Sequence, residues 1–334
     1  MTSSSPMDEF SMIRRYFAPL AKPLPGALDL RDDAAVLALP PGHELIVTKD
    51  VLVAGVHFLP DDPANLIARK LLTVNLSDLA AMGATPYAYA LGVVLPRDIG
   101  ADWLEAFAMG LAQGQAASGI SLAGGDTVST DGPLVLSLTA FGHVPQGQAI
   151  TRNGARPGDQ LYVSGAIGDG ALGLKALREE LGDLDSAARD DLVKRYQCPE
   201  ARSALGQKLR GVASAAVDVS DGLIADLGHL CGASSVSAYL PVENVPLSAA
   251  AHGLFQQGRV TYPDLLTGGD DYELLFTVPS DRTDKLQRVL LEVGVPVAAL
   301  GHIAESTGDS DGDVHVTAPD GSLLVFPQAG FRHF

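Results

Sequence analysis

Residues 215–231 read AAVDVSDGLIADLGHLC, and this stretch decides the fold class. An apolar run that contains Asp218 leads into the turn Ser220-Asp221-Gly222, after which apolar residues recur at helical spacing as far as Cys231. This order predicts a strand, a tight turn and a helix. The same order recurs in Leu161–Leu181. Repeated strand-turn-helix units predict a mixed αβ architecture, with features of both the α/β and the α+β classes.

The predicted turn within Leu161–Leu181 contains three glycines, Gly165, Gly168 and Gly170. Their spacing is one residue short of the G-x-G-x-x-G pattern of dinucleotide-binding proteins, so we interpret them as a tight strand-to-helix turn. The chain also lacks the G-x-x-x-x-G-K-[ST] pattern of a P-loop. A nucleotide site of either kind is therefore not expected.

The first half of the chain also alternates strand and helix patterns. The predicted strands are Ala34–Leu39, Leu45–Thr48, Tyr89–Leu95 and Leu134–Phe141, and the predicted helices are Pro63–Met82 and Ala101–Ser118. Proline and glycine then crowd residues 144–159, where apolar periodicity is weak. Such a composition is typical of a linker or turn region. We therefore predict two αβ domains, residues 1–147 and residues 148–334.

The composition excludes several classes of partner. The 334 residues are 46% hydrophobic and 19% charged, which is typical of a globular protein. The formal net charge is −17, and nucleic acids or anionic membranes require a positive field instead. Cys198 and Cys231 are isolated, and residues 1–10 lack the basic and apolar regions of a signal peptide. We predict a cytoplasmic location.

Aspartates stand where apolar elements meet turns. They are Asp32, Asp33, Asp50, Asp78, Asp126, Asp218, Asp221, Asp270 and Asp271. Side chains at strand ends of αβ sheets converge on shared crevices. Two unit charges about 4 Å apart repel by roughly 4 kcal/mol at an effective dielectric constant near 20, so a cluster of acids requires bound cations. An aspartate beside a glycine is, taken singly, more often a turn or helix cap.

Magnesium suits this set of ligands, because it takes oxygen atoms from one or two carboxylates and completes its shell with water and phosphate. Zinc is not expected, since the eight histidines and two cysteines show no ligand spacing. An acidic protein that binds divalent cations without catalysis stays open as an alternative, although no EF-hand loop occurs in the sequence.

Several segments in order resemble the thiamine-monophosphate kinase family, within the superfamily of aminoimidazole ribonucleotide synthetase. They span nearly the whole chain, and they include the following: Asp32-Asp33-Ala34-Ala35-Val36, Asp50 with His57-Phe58, the run from Val74 to Gly83, Gly124-Gly125-Asp126-Thr127, Ile150-Thr151-Arg152, the run from Asp218 to Leu223, and the run from Gly268 to Leu274. Each motif is ordinary by itself, whereas their order and spacing are specific.

The resemblance implies ATP-dependent phosphorylation of thiamine monophosphate to thiamine diphosphate, by a homodimer whose amino-terminal sheets meet. It implies that several Mg²⁺ ions are bound by Asp33, Thr48, Asp50, Asp78, Asp126, Asp218 and Asp221. Of these, Asp78, Asp126 and Asp218 are expected to be catalytic. ATP would contact Gly125, Asp126, Arg152 and Ser220, and the thiamine substrate would contact His57, Asp270 and Phe331. Whether K⁺ assists is left open.

This chain departs from the family pattern at a few positions. Arg31 stands where glycine is usual, and Lys49 stands where a small hydroxyl residue is common. Asp270 replaces a usual glutamate, and Phe331 replaces a tyrosine or tryptophan. Another ATP-using synthetase of the superfamily is the second hypothesis. The maturation factors among them are disfavoured, because residues 332–334 contain no cysteine.

Overall fold

The computed structural model describes residues 8–306 and 313–331, so the predictions about residues 1–7 and 332–334 lie outside the described residues. The chain divides into two compact units. The amino-terminal unit runs to Leu79 and resumes over Thr85–Gln146, and the carboxy-terminal unit contains Ala80–Ala84 and the chain from Gly147 onward. Nowhere in the described residues is there a helix with the length and hydrophobicity needed to traverse a bilayer.

The amino-terminal unit is built on a four-stranded sheet with the order β1-β4-β2-β3. The β2 and β3 strands are parallel, and the other neighbours are antiparallel. Its elements are α1 (Glu9–Met12), α2 (Ala18–Ala21), β1 (His43–Val53), α3 (Ala64–Ala81), β2 (Thr85–Pro96), α4 (Ala101–Ser118), β3 (Ser121–Thr130) and β4 (Val135–Pro145).

Helices α3 and α4 approach each other closely because two glycines lie at their contact. A Cβ atom on Gly110 would stand 2.2 Å from the backbone oxygen of Asn65, and one on Gly114 would stand 2.5 Å from the side chain of Leu72.

Burial alternates along β4, which is typical of a sheet with one covered face. The opposite face of β1 exposes Leu45, Val47 and Val51.

The carboxy-terminal unit contains a seven-stranded sheet with the order β11-β10-β7-β9-β5-β8-β6. Among the described strands of this sheet, β10 and β7 pair in parallel and the other neighbours are antiparallel. Its elements are β5 (Gln160–Ser164), α5 (Asp169–Leu177), α6 (Ser186–Gln197), α7 (Ser203–Leu209), β6 (Ala215–Val219), α8 (Leu223–Ser234), β7 (Val236–Pro241), α9 (Ala249–Gln256), α10 (Tyr262–Leu266), β8 (Glu273–Val278), α11 (Thr283–Val293), β9 (Val297–Glu305), β10 (Val314–Thr317) and β11 (Leu323–Leu324).

Strands β5, β6 and β8 contact apolar clusters on both faces of this sheet. Leu161 and Val163 of β5 belong to one cluster, while Tyr162 between them belongs to the other. All five residues of β6 are buried. A strand covered on both faces is apolar throughout instead of alternating, and this explains the run at Ala215–Val219. The predicted mixed αβ architecture is confirmed.

Two local predictions differ from the structure. Ala34–Leu39 is not a strand. Its backbone bond to another described segment runs from the Val36 N–H to the Gly26 carbonyl, and a single bond does not make a strand pair. Gly124 and Gly125 lie inside β3, a strand that is absent from the predicted ones. A Cβ atom on Gly125 would stand 1.9 Å from the Leu91 carbonyl oxygen, so glycine at this position allows the close approach of β3 to β2.

Gly165 is expected to be intolerant of any side chain. Its φ is +63°, and a Cβ atom would stand 2.0 Å from a carboxylate oxygen of Glu273. The Gly165→Ala substitution should lower the free energy of unfolding by about 2–5 kcal/mol, from backbone strain and overpacking together.

Urea denaturation measures this loss, and Gly253→Ala is the matched control. Gly253 lies within α9, and nothing stands within 4 Å of the position of its added Cβ. The control should be neutral or more stable by up to about 1 kcal/mol. Equal stabilities of the two variants would contradict the steric explanation.

Candidate active site

A cavity in the amino-terminal unit brings together residues that are far apart in sequence. Its volume is about 160 Å³, and its lining includes Asp32, Asp33 and residues 124–127 of β3. Apolar residues, among them Phe17 and Leu91, also line it. The structure thus places Asp33, Gly125 and Asp126 around a single cavity.

The loop that carries Asp33 has an unusual backbone. Three consecutive non-glycine residues, Leu28, Asp29 and Leu30, have φ values of 53°, 55° and 53°. Such values are uncommon outside glycine and cost roughly 1–2 kcal/mol each. Arg31, which replaces the usual glycine, has an ordinary φ of −113°. The backbone at that position is therefore compatible with a side chain.

A second group of oxygen atoms lies at β1 and α3. Thr48 Oγ1 donates a hydrogen bond of 2.5 Å to Asp78 Oδ2, and Asp50 follows two residues after Thr48 on the same strand. Burial, together with the nearby Asp78 charge, raises the pKa of Asp50 to about 6 against the opposing effect of Lys49. Among the described residues, no hydrogen-bond partner meets the buried Asp50 Oδ2.

This group fits a divalent cation. A buried carboxylate oxygen without a partner is costly, and a neighbouring carboxylate increases the cost. Two carboxylates and a hydroxyl supply hard oxygen ligands of the kind that magnesium takes. The orphaned oxygen of Asp50 is the observation that favours a cation here over a structural role.

His57 lies in the turn that follows β1. The ring atom Nδ1 of His57 accepts a hydrogen bond of 3.1 Å from the backbone N–H of Val53. The backbone N–H of His57 donates to the Val53 carbonyl. The half-buried ring is therefore held by the backbone, with Nδ1 unprotonated.

In the carboxy-terminal unit, one buried carboxylate organises the turn between β6 and α8. Asp226 Oδ2 accepts the N–H groups of Ser220, Asp221 and Gly222 at 3.0, 3.0 and 3.2 Å. Burial, together with the charge of Asp221, raises the pKa of Asp226 to about 7 against the opposing effects of its amide hydrogen bonds and the charge of Arg152. Asp226 thus fixes the turn that holds the predicted residues Ser220 and Asp221, with Arg152 close enough to affect its charge.

Side-chain atoms of Asp221, Asp226 and His229 lie within 4.8 Å of one another. Asp218, at the end of β6, is 2% exposed. The sequence analysis did not single out Asp226 or His229. An acid in the first turn of a helix was the available signal, because such a residue can bond backward to free amide groups.

Two further segments attach to this turn through their backbones. Asp270 N–H donates to the Ser220 carbonyl at 2.9 Å, and Phe331 N–H donates to the Asp221 carbonyl at 2.9 Å. The side chain of Phe331 is 49% exposed. The structure therefore brings Asp270, Phe331, Ser220 and Asp221 together, as expected if they line one site.

The adjacent acids Asp270 and Asp271 have opposite surroundings. Asp271 is fully buried and accepts the N–H groups of Gly168 and Gly170 at 2.8 and 3.0 Å. Asp270 is half-buried and accepts a hydrogen bond from the Tyr272 hydroxyl. Asp271 therefore fixes the glycine turn after β5, which leads from the strand into α5 as predicted.

Glu273 begins β8 and forms a buried ion-pair network. It is 0% exposed, and its carboxylate accepts hydrogen bonds from Arg202, Arg195 and Ser164 at 2.6 to 2.8 Å. Arg195 also donates to the Asp271 carbonyl at 3.2 Å. A conformation that separated Glu273 from one of these partners would leave a buried charge uncompensated. The network therefore holds the segment before β8 in one conformation.

Comparison with known proteins identifies the class. Residues 31–144 match the family model for the AIR synthase related protein, N-terminal domain, and residues 156–313 match the model for the C-terminal domain. These matches cover most of both units and define an AIR synthase related protein.

Individual relatives narrow the class to one family. A thiamine-monophosphate kinase of Caulobacter vibrioides is 46% identical over 314 residues, which are 92% of this chain and 87% of the relative. The crystal structure of thiamine-monophosphate kinase from Stenotrophomonas maltophilia K279a has a TM-score of 0.78 at 41% identity, over 88% of this chain and 91% of that chain. A structure described as AaThiL complexed with AMPPCP and TMP has a TM-score of 0.76 at 28% identity, over 100% and 99%. The chain belongs to the thiamine-monophosphate kinase family.

Asp271 is expected to make stability depend on pH. Burial, together with the charge of Asp169, raises its pKa to about 8 against the opposing effects of its amide hydrogen bonds and Arg195. A folded-state pKa above the unfolded value near 4 stabilises the fold at low pH, and this contribution is lost as pH rises through about 8. The free energy of unfolding without metal should therefore fall between about pH 5 and pH 8.

Urea denaturation across this range should give a shallower slope for Asp271→Asn, which cannot titrate. The variant should also be less stable overall, because an amide nitrogen replaces one acceptor of an N–H group. Asp320→Asn is the control. The pKa of this exposed acid is lowered by Ser322, so its removal should leave the slope unchanged. An unaltered slope in Asp271→Asn would refute the assignment.

Proposed function

We propose that this chain transfers the γ-phosphoryl group of ATP to thiamine monophosphate, giving thiamine diphosphate and ADP. Similarity to known proteins and the chemistry of the oxygen group in the amino-terminal unit both support the proposal. The relatives named above are thiamine-monophosphate kinases, and one similar structure contains AMPPCP and TMP. The observation that carries the chemistry is the oxygen group at Thr48, Asp50 and Asp78, with its orphaned buried atom.

Magnesium is the proposed metal. Asp33, Thr48, Asp50, Asp78 and Asp126 would hold it in the amino-terminal unit, and Asp218 and Asp221 would hold it in the carboxy-terminal unit. When bound, it supplies positive charge to phosphate oxygens and reduces repulsion between the carboxylates. Turnover is proposed to depend most on Asp78, Asp126 and Asp218.

ATP is proposed to contact Gly125, Asp126, Arg152 and Ser220. Gly125 presents its backbone without a side chain at the cavity beside Asp126. The guanidinium of Arg152 lies on an exposed turn near Asp226, and a planar donor of this kind suits phosphate oxygens.

The thiamine substrate is proposed to contact His57, Asp270 and Phe331. Its thiazolium ring is a cation, so a carboxylate and an aromatic face are complementary to it. Asp270 and Phe331 attach to neighbouring carbonyls of the β6–α8 turn, and this supports a shared role.

The reaction needs no strong base. A phosphate monoester is already an anionic nucleophile near neutral pH, so direct in-line attack on the γ-phosphorus requires orientation and charge neutralisation. In this proposal the carboxylates, Arg152 and the backbone of the turns orient the two phosphates, and no phosphoenzyme forms. The buried hydrogen bonds to Asp226 and Asp271 keep those turns rigid.

A homodimer and a cytoplasmic location belong to the same proposal. The exposed face of the amino-terminal sheet carries Leu45, Val47 and Val51 at 47%, 53% and 44% exposure. Contiguous exposed apolar residues often mark an interface, and a second copy of this sheet is the proposed partner. Cys198 and Cys231 are both buried, which is compatible with a reducing compartment.

ADP release, measured with Mg²⁺ and with or without thiamine monophosphate, tests the proposal. Release that depends on both the metal and the acceptor, with thiamine diphosphate as product, is the expected result. Release without the acceptor would favour another ATP-using synthetase, and binding of Mg²⁺ with no ADP release would favour a non-catalytic protein.

Asp78→Asn and Asp218→Asn should each lower kcat by at least about 100-fold, because a metal-binding carboxylate is lost from the site. Far-ultraviolet circular dichroism should remain that of the wild type. Asp131→Asn removes an exposed acid paired with Arg97 in the amino-terminal unit and should keep full activity. Wild-type turnover in either site variant would contradict the metal assignment.

Val47→Asp should convert the dimer to a monomer, because a carboxylate on the proposed interface would be buried without a partner. Size-exclusion chromatography with light scattering measures the mass. Leu291→Asp is the control, since Leu291 is 88% exposed on α11. A monomeric wild type, or an unchanged dimer in Val47→Asp, would argue against this interface.

A further inference from the structure

The segment before β8 contains two strained residues. Asp270 has a φ of 72° and Tyr272 has a φ of 52°, whereas side-chain-bearing residues rarely have positive φ. For a bulky residue such as Tyr272 this conformation is a true outlier and is energetically unfavourable. Such strain persists only where surrounding contacts impose it.

Hydrogen bonds to the backbone of residues 270–272 impose this strain. Asp270 N–H donates to the Ser220 carbonyl at 2.9 Å, and Tyr272 N–H donates to the Val219 carbonyl at 2.7 Å. Between them, the Asp271 carbonyl accepts from Arg195 at 3.2 Å. The segment is thus clamped between the β6–α8 turn and the last turn of α6.

The result of this clamping is a contact between two side chains. The Tyr272 hydroxyl donates a hydrogen bond of 2.9 Å to Asp270 Oδ1. The Asp270 side chain has a single methylene, so its carboxylate stays near the backbone. A phenol extends much farther from its own backbone, and here it reaches back to the carboxylate two residues earlier.

We propose that Tyr272 is a positioning residue that holds the Asp270 carboxylate in the orientation required by a cationic acceptor. This inference rests on the proposed function, because it requires Asp270 to contact the acceptor. The hydroxyl fixes one carboxylate oxygen and so removes the rotational freedom of a short side chain. A fixed carboxylate binds a cation with a smaller loss of conformational entropy than a rotating one.

A substitution that removes only the hydroxyl tests the inference. Tyr272→Phe should raise the KM for thiamine monophosphate by about 5- to 20-fold, as expected for a lost hydrogen bond to a charged group. The kcat and the KM for ATP should change by less than about twofold, since neither the metal ligands nor the nucleotide contacts are altered. Calorimetric titration with thiamine monophosphate, in the presence of AMPPCP and Mg²⁺, should show the same loss of affinity.

A double-mutant cycle separates positioning from a merely structural role. Asp270→Asn alone should weaken acceptor binding more than Tyr272→Phe does, and adding Tyr272→Phe to it should change little further. Additive effects of the two substitutions would overturn the proposal. So would a Tyr272→Phe variant with wild-type KM, or one that loses kcat, ATP affinity and thermal stability together.

Tyr239→Phe is the matched control. Tyr239 lies on β7 of the same unit, where its ring stacks on His302 and His315. This variant loses a phenolic hydroxyl away from the segment before β8 and should keep wild-type kinetics. A wild-type protein that shows no acceptor-dependent ADP release would defeat the proposed function and this inference together, whereas an active wild type with an unaffected Tyr272→Phe variant would defeat the inference alone.

Discussion

The cost of burying carboxylates governs the functional parts of this protein. A buried carboxylate loses its hydration, and the loss must be compensated by hydrogen bonds or by opposite charge. Asp226 and Asp271 are compensated by backbone N–H groups, and Glu273 is compensated by two guanidinium groups and a hydroxyl. Asp50 keeps a buried oxygen with no hydrogen-bond partner in the described part of the chain. The first three acids hold turns together, and the fourth is suited to an added cation.

This division explains why one residue type serves two purposes in the chain. Acids that face backbone amides are enclosed, and they fix the conformations of the turns after β5 and β6. Acids that face other acids remain partly accessible, and their mutual repulsion is relieved only by a ligand. The rigid turns also carry the half-exposed residues Asp270 and Phe331, which are proposed to bind substrate. Structural aspartates thus position the residues that are proposed to bind substrate.

The sequence predicted much of the fold because strong local patterns determine it. The helix predicted at Pro63–Met82 is observed at Ala64–Ala81, and the glycine turn around Gly168 was interpreted correctly. Strand β3 was missed, because Gly124-Gly125 is typical of a turn, and only the closeness of β2 explains glycine inside a strand. Ala34–Leu39 was predicted as a strand from its apolar residues, but a strand also needs a partner. Asp226 and Glu273 were not assigned roles, since one sequence does not show which acids meet amides and which meet arginines.

The turn between β6 and α8 has a consequence for anion binding. The amide groups at the start of a helix usually attract phosphate, through the helix dipole and their free hydrogens. Here Asp226 already saturates the amides of Ser220, Asp221 and Gly222. The Asp226 side chain therefore occupies the space in front of these three amides, and a phosphate oxygen that approaches the turn from outside meets them already bonded.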